Sequence, residues 1–360
     1  MGGHLTKEEK IAVIVGVELS RSKTIPLEES MAELKRLCAT ADIEVVGEIS
    51  QKRDRPDGRY YIGTGKIEEL KALLAEKEVG QVIFDVELSP AQQRNLEKEL
   101  GKNVSDRTEL IIDIFSQHAR SREGKIQVEL AQLTYELPRL RGMWGHLHRQ
   151  RGGIGMRDVG EQQLELDKRI IRKKMGRLNK EIEQVKKSRA LQRAKRKSGQ
   201  ITTISLIGYT NSGKSTLLNT LTKADVLAED KLFATLDPTT RRAYLPNNKV
   251  ILFSDTVGFI QKLPHQLVAA FRATLDEIKE SDLLLHVVDI SNPYFEDQIN
   301  AVYTVLEELG GINKKMITVF NKIDQLEQDL PQQTINKYQP SVALSALTGE
   351  GIPKLLDQLS

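Results

Sequence analysis

The run Gly208-Tyr209-Thr210-Asn211-Ser212-Gly213-Lys214-Ser215 constrains this chain more than any other stretch. Apolar Ile204–Ile207 delivers it from a strand, and Thr216–Leu221 reads as the helix it opens. The spacing GxxxxGK[ST] is that of a phosphate-binding loop. Glycines let the backbone turn so that successive N–H groups converge on a polyanion, and the helix N-terminus adds partial positive charge. Lys214 is then placed to reach the outer phosphates, and Ser215 to offer its hydroxyl to Mg²⁺.

Three further segments follow in an order that matters more than any of them alone. Leu232–Arg242 is a polar, proline-containing stretch before the strand Ala243–Leu245, where a nucleotide-sensing switch belongs. Phe233, Ala234, Thr235, Leu236 and Asp237 are its core; Thr235 is the expected second Mg²⁺ ligand, with Thr239 and Thr240 as rivals. Strand Val250–Ser254 ends in Asp255-Thr256-Val257-Gly258, whose carboxylate suits water-mediated Mg²⁺ contact and whose glycine amide can approach a third phosphate. Strand Met316–Phe320 ends in Asn321-Lys322-Ile323-Asp324. Asp324 can accept from both N1–H and the exocyclic amine of guanine, a donor pair adenine lacks, so an unpaired carboxylate rejects adenine nucleotides. Asn321 is expected to bridge to the phosphate loop, the Lys322 stem to cover the base, and the Ala346 amide of Ser345-Ala346-Leu347 to meet guanine O6. All lie at carboxyl ends of strands, the ligand-binding edge of an open α/β sheet. They predict a Ras-like P-loop GTPase domain over residues 201–360, with Lys214, Thr235 and Gly258 as its catalytic groups.

At 360 residues the chain is too long for one ordinary core. Ile11–Val17, Leu27–Ala39, Ile43–Ile49, Ile67–Ala75, Val82–Val86 and a helix capped by Ser89 alternate as strand and helix, predicting a parallel α/β layer domain over residues 1–105. Tyr60-Tyr61-Ile62-Gly63-Thr64-Gly65-Lys66 has the residue types of a phosphate loop at the wrong spacing, and reads as a glycine turn before a helix. Residues 106–197 read as two long helices forming an antiparallel hairpin: one starts at Asp106 and Glu109, breaks near Gly124 and closes at Pro138. The other, Glu161–Ala194, carries Leu164, Ile171, Leu178 and Val185 in heptad steps, with Met175 and Ile182 between. Between them Arg141–Arg157 combines glycine, arginine and Trp144, and the basic excess continues through Lys168, Arg169, Arg172, Lys173, Lys174 and Arg177. A charge run is ordinarily a solvated face, but this one is one-signed and continuous with the loop, which suits RNA backbone and unpaired bases.

These motifs together make the chain similar to the HflX family of ribosome-associated GTPases. The likeness is carried by the YIGTGK turn, TELIIDIFSQHARSREGKIQVELAQL, GGIGMRDVGE, GYTNSGKSTLLN, LFATLDPTTRR, DTVGFIQKLPHQLVAAFRATL, NKID and SAL. The resemblance implies docking on the large ribosomal subunit and its rRNA, GTP hydrolysis stimulated there, and splitting of stalled or idle ribosomes. It departs at Asp158-Val159-Gly160-Glu161, where the family reads GPGE. The sequence also stops at Ser360, so contacts through the C-terminal domain of some members do not carry over.

Phe259 stands where a Ras-like GTPase places a water-orienting glutamine, which predicts slow intrinsic hydrolysis. The ribosome is one expected accelerator; K⁺ held beside the phosphates by Asn211 is another. The competing functions are an ATP-dependent RNA-remodelling protein working through the N-terminal domain, and a GTP-regulated scaffold whose hairpin oligomerises. A single cysteine, Cys38, reads as a buried small hydrophobe. The apolar runs fall short of a membrane span. The expectation is a cytoplasmic monomer, with any membrane association peripheral.

Overall fold

The computed structural model describes residues 10–20, 25–140, 157–197, 201–222, 232–233, 236, 239–264, 267, 277–328 and 332–360. The cationic glycine loop with Trp144, and Ala234, Thr235 and Asp237 of the switch, lie outside the described residues. The chain divides into two compact units: Met1–Gln117 with Lys125–Ile182 and Pro264–Ala270, and His118–Gly124 with Glu183–Leu263 and Phe271–Ser360.

In the first unit β1 (Ile11–Leu19) is flanked by β2 (Glu44–Arg53) and β3 (Gln81–Phe84), with β4 (Asn103–Asp106) beyond β3, all parallel. Ala12, Val13, Ile14 and Val15 are fully buried, the pattern of a parallel strand covered on both faces. The covering helices are α1 (Leu27–Thr40), α2 (Thr64–Glu76) and α3 (Pro90–Leu100). Ser89 caps α3 in a full capping box, its side chain accepting from Gln92 N while Gln92 reaches back to Ser89 N. The glycine turn opens α2, with Gly63 as its first flanking residue and Gly63 N donating to Gln51 Oε1 at 2.9 Å. Cys38 is fully buried, and burial pushes its thiol up to about 12.

Strand β4 is absent from the sequence reading, which assigns residues 103–105 to no element and starts the next helix at Asp106. Asn-Val-Ser-Asp holds one large apolar side chain, so its pattern is silent; pairing with β3 makes it a strand. Helix α4 (Arg107–His118) then starts under the Asp106 carboxylate, whose Oδ1 accepts from Glu109 N at 3.0 Å. Helix α5 (Arg122–Glu136) follows a break at residues 119–121, just ahead of Gly124, near which the break is expected. Gly124 lies inside its first turn, where its N–H donates to Ser121 Oγ at 2.9 Å, so Ser121 is the cap and the glycine is no breaker. Helix α6 spans Arg157–Lys197. Leu164, Leu178 and Ile182 of its heptad seam are buried, and Lys174 Nζ pairs with Glu129 of α5 at 2.5 Å. No helix among the described residues is long and apolar enough to cross a membrane.

The second unit holds a six-stranded sheet made from β5 (Thr202–Gly208), β6 (Thr239–Tyr244), β7 (Val250–Asp255), β8 (Leu283–Asp289), β9 (Met316–Asn321) and β10 (Ser341–Ala343). Its order is β10-β9-β8-β5-β7-β6, and β6 alone runs antiparallel. β6 starts four residues before the expected strand at Ala243: Thr-Thr-Arg-Arg is polar because an edge strand exposes one face. Helices α7 (Lys214–Thr222), α8 (Phe295–Glu308), α9 (Gln332–Lys337) and α10 (Ile352–Leu359) complete the layers. Phe253, Leu285, Val287, Val319 and Leu355 form the core on the α7 and α10 side.

A buried charge cluster locks the first unit. Arg107, 1% exposed, donates to Asp85 Oδ1 at 2.7 Å and to Glu33 Oε1, while Ser30 Oγ donates to Asp85 Oδ2 at 2.6 Å. α4, α1 and the residue that follows β3 are thereby joined by buried charged groups. Removing one partner leaves the other charges buried and uncompensated, so Arg107→Met is expected to destabilise this unit by about 3–5 kcal/mol. Thermal unfolding followed by circular dichroism checks this, and an unchanged first transition contradicts it.

Candidate functional site

β5 sits where the strand order reverses, between β7 and β8, so its carboxyl end opens into the crevice that such sheets use for ligands. Gly208–Ser215 turns there from β5 into α7. Asn211 takes a left-handed φ of 60°, which asparagine tolerates. Gly213 has φ 89°, and a β-carbon on it would collide with the Asn321 side-chain amide. Glycine is required at that position twice over, for its backbone angle and for its neighbour.

Lys214 is 6% exposed, and its ammonium donates to the carbonyls of Gly208 at 3.2 Å and Tyr209 at 2.7 Å. Ser215 Oγ donates to Asp255 Oδ2 at 2.7 Å, so the loop hydroxyl and the fully buried carboxylate closing β7 meet directly. That hydroxyl and carboxylate are the hard oxygen donors a Mg²⁺ ion takes beside a nucleotide. Thr256 is spent on structure, its hydroxyl donating to Leu206 O at 2.7 Å. Val257 is buried. Gly258 presses on the loop: a β-carbon there would lie 2.9 Å from Thr210 Cα and 3.1 Å from Lys214 Nζ. The next residue extends the sheet by one bridge, with Phe259 N donating to Gly208 O at 3.0 Å and Thr210 N to Phe259 O at 2.7 Å. The Phe259 ring is 2% exposed, and the Tyr209 hydroxyl accepts from Gln261 N at 2.9 Å.

The Asn321–Asp324 segment is tied to the same loop. Asn321 Nδ2 donates to Ser212 O at 2.8 Å, the bridge expected from the sequence. Its Oδ1 accepts from Ala346 N at 2.8 Å, so the amide assigned to guanine O6 is engaged by Asn321 here. Ser345 is fully buried, its hydroxyl accepting from Thr348 N at 3.1 Å, and Leu347 is 77% exposed. Thr220 Oγ1 of α7 donates to Ala346 O at 2.7 Å. Asp324 is exposed in a single 3₁₀ turn with Ile323, and hydrogen-bonds no other described side chain.

Of the switch residues, Leu232, Phe233 and Leu236 are buried, and Phe233 has φ 58°. Thr240, a rival of Thr235, shares a 3.3 Å hydrogen bond with Ser254 Oγ across the β6–β7 ladder. Sequence reasoning missed Asp289 at the end of β8. Its Oδ2 pairs with Lys322 Nζ at 2.6 Å and its Oδ1 accepts from Ser291 Oγ at 2.5 Å, which holds the lysine stem at the end of β8. The signal was an acidic residue ending an apolar strand at the same sheet edge as Gly208 and Asn321. His286 packs against Tyr303, and burial with the nearby Lys214 charge pushes its imidazole down to about 3, so it stays neutral.

Matches to known proteins extend along the chain. The family models described as "GTP-binding GTPase N-terminal", "GTP-binding GTPase Middle Region" and "50S ribosome-binding GTPase" match residues 28–116, 118–196 and 203–322. "GTPase HflX" of Alkalihalophilus pseudofirmus is 50% identical over 341 residues, 94% of this chain and 79% of that protein. "GTPase HflX" of Caldanaerobacter subterraneus subsp. tengcongensis is 49% identical over 323 residues, 90% of this chain and 74% of that protein. The Escherichia coli protein of the same name is 45% identical over 351 residues, 97% of this chain and 82% of its own. The solved complex of SsGBP with GDP is 29% identical, covers 97% of each chain, and superposes with a TM-score of 0.51.

Lys214 carries the electrostatic signature of the site. Burial pushes its ammonium down from 10.5 to about 8; Asp255 opposes the shift and Lys322 adds to it. A lysine whose folded pKa is depressed costs stability below that pKa, and the cost fades as pH rises from about 8 towards the unfolded value. The stability of Lys214→Met relative to the parent is therefore expected to fall by about 1–3 kcal/mol between pH 7 and pH 10. Paired thermal melts across pH 7–10 read it, and a pH-independent difference contradicts it.

Proposed function

The chain belongs to the HflX family of GTPases, and from that membership we propose that it is a nucleotide-driven switch acting on the large ribosomal subunit. Guanine nucleotide binding, GTP hydrolysis and ribosome association belong to the family. Engagement through rRNA, and release of stalled or idle ribosomes by separating their subunits, are the proposal. The observation that supports it is the cross-linking of four sequence-distant segments by Asn321, Lys214 and the Ser215–Asp255 pair at one sheet edge. An edge tied in this way can report a third phosphate through Gly258 to the segments that follow it.

In this reading the phosphates lie along Gly208–Ser215, with Lys214 on the outer ones. Ser215 and Thr235 ligate Mg²⁺, which neutralises charge on the phosphates when bound, and Asp255 contacts it through water. Asp324 selects guanine, supported by Asn321, Lys322 and Ala346. Asn211 is the residue that would hold K⁺. The apolar Phe259 leaves the attacking water unoriented by that side chain, which fits a slow intrinsic rate raised on the ribosome. The cationic helix α6 supplies the RNA-facing charge, and the protein works as a monomer.

Two experiments test this. Incubated with 70S ribosomes and a non-hydrolysable GTP analogue, the protein is expected to shift sedimentation towards free subunits and to travel with the large one, and with GDP to do neither. Nucleotide-independent attachment defeats the proposal. Asp324→Asn replaces an acceptor with a donor opposite the guanine N1–H and amine, and is expected to lower GDP affinity by about 10²-fold or more. The same variant should accept xanthine nucleotides, whose 2-oxo group takes the new amide donor. Equal GDP affinity by calorimetry removes Asp324 from the site.

A further inference from the structure

Thr210 presents a problem that nucleotide binding by the loop backbone does not explain. It is 6% exposed, and its hydroxyl has no hydrogen-bond partner among the described residues. Buried hydroxyls are costly to leave unpaired, and one retained in a native interior calls for a reason such as a ligand or a reaction. Its surroundings are specific. The Thr210 methyl carbon and Cα pack at 2.9 Å against the position of a Gly258 β-carbon, and Lys214 Nζ lies 3.1 Å from the same point. Its own N–H is fixed to Phe259 O at 2.7 Å. Thr210 and the Lys214 ammonium thus both border Gly258. Directly beside it, the residue that should orient water is a buried phenyl ring with no polar atom.

We infer that Thr210 is a catalytic residue of GTP hydrolysis, its hydroxyl supplying at the phosphate loop the polar contact that Phe259 cannot. This rests on the nucleotide site proposed above and adds a role to it. The water oxygen forms a bond to the γ-phosphorus, and the bond from that phosphorus to the bridging oxygen breaks, its electron pair leaving with GDP. The water proton passes to a γ-phosphate oxygen, giving inorganic phosphate. Thr210 keeps its proton throughout: it donates to a γ-phosphate oxygen and accepts from the water, which places the nucleophile. The Phe259 bridge holds the Thr210 backbone for this.

The test is single-turnover hydrolysis of GTP by the full chain carrying Thr210→Val, Thr210→Ala or Thr210→Ser, with fluorescent GDP affinity and melting temperature measured on each. The two variants without a hydroxyl are expected to hydrolyse on the order of 10²-fold more slowly, with serine close to the parent rate. GDP affinity stays near the parent value in all three. Because valine removes an orphaned polar atom at almost constant volume, its melting temperature should be no lower than the parent's, whereas a residue serving packing alone would not split rate from stability. Parent-like hydrolysis by Thr210→Val and Thr210→Ala overturns the inference, as does an equal loss in Thr210→Ser. Failure of the unaltered chain to bind GDP would instead bring down the nucleotide site itself.

Discussion

The Asn321 carboxamide holds the second unit's ligand edge together. One side-chain amide donates to Ser212 O and accepts from Ala346 N, joining the phosphate loop after β5, the segment after β9 and the segment after β10. Those three stretches span more than a hundred residues of sequence, and each is too polar to be held by apolar packing alone. A neutral amide suits the task because it offers donor and acceptor in one plane and needs no counter-charge in a buried position. Its presence also explains Gly213, since the space a side chain would take is already filled by the Asn321 amide.

The remaining contacts divide the edge into two ends. At the Lys214 end, the ammonium is held by loop carbonyls and pulled towards neutrality by burial. At the other end, Asp289 neutralises Lys322, while Asp324 stays exposed and unpaired with any described side chain. A carboxylate is thus left exposed, while the cation beside it is restrained. The Phe259 bridge links the Lys214 end to the DxxG segment through backbone hydrogen bonds, so displacement of Gly258 disturbs Gly208 and Thr210 together.

The first unit uses burial of charge to a different end. Arg107 is satisfied by Asp85 and Glu33, and Arg139 lies 3.5 Å over the Tyr135 ring while donating to Leu88 O at 2.7 Å. Both arginines fasten helices to the carboxyl edge of a small parallel sheet. Such clusters give less net stability than apolar packing would, but they tolerate few alternative arrangements, and they fix α4 and α5 at the start of the helical segment.

By itself the sequence determined the order of the motifs, the alternation of strand and helix, the heptad seam of α6 and the meeting of four segments at one sheet edge. Those features are written in local spacing: glycine positions, apolar period and capping residues act over a few residues, where the chain's own geometry decides. Tertiary structure alone decided that Asn-Val-Ser-Asp is a strand, that Thr239–Arg242 lengthens the edge strand, that Asp289 restrains Lys322 and that Arg107 is buried with two carboxylates. Each depends on a partner between 10 and 74 positions away, and a polar residue bears no mark of whether its partner will be water or another buried charge.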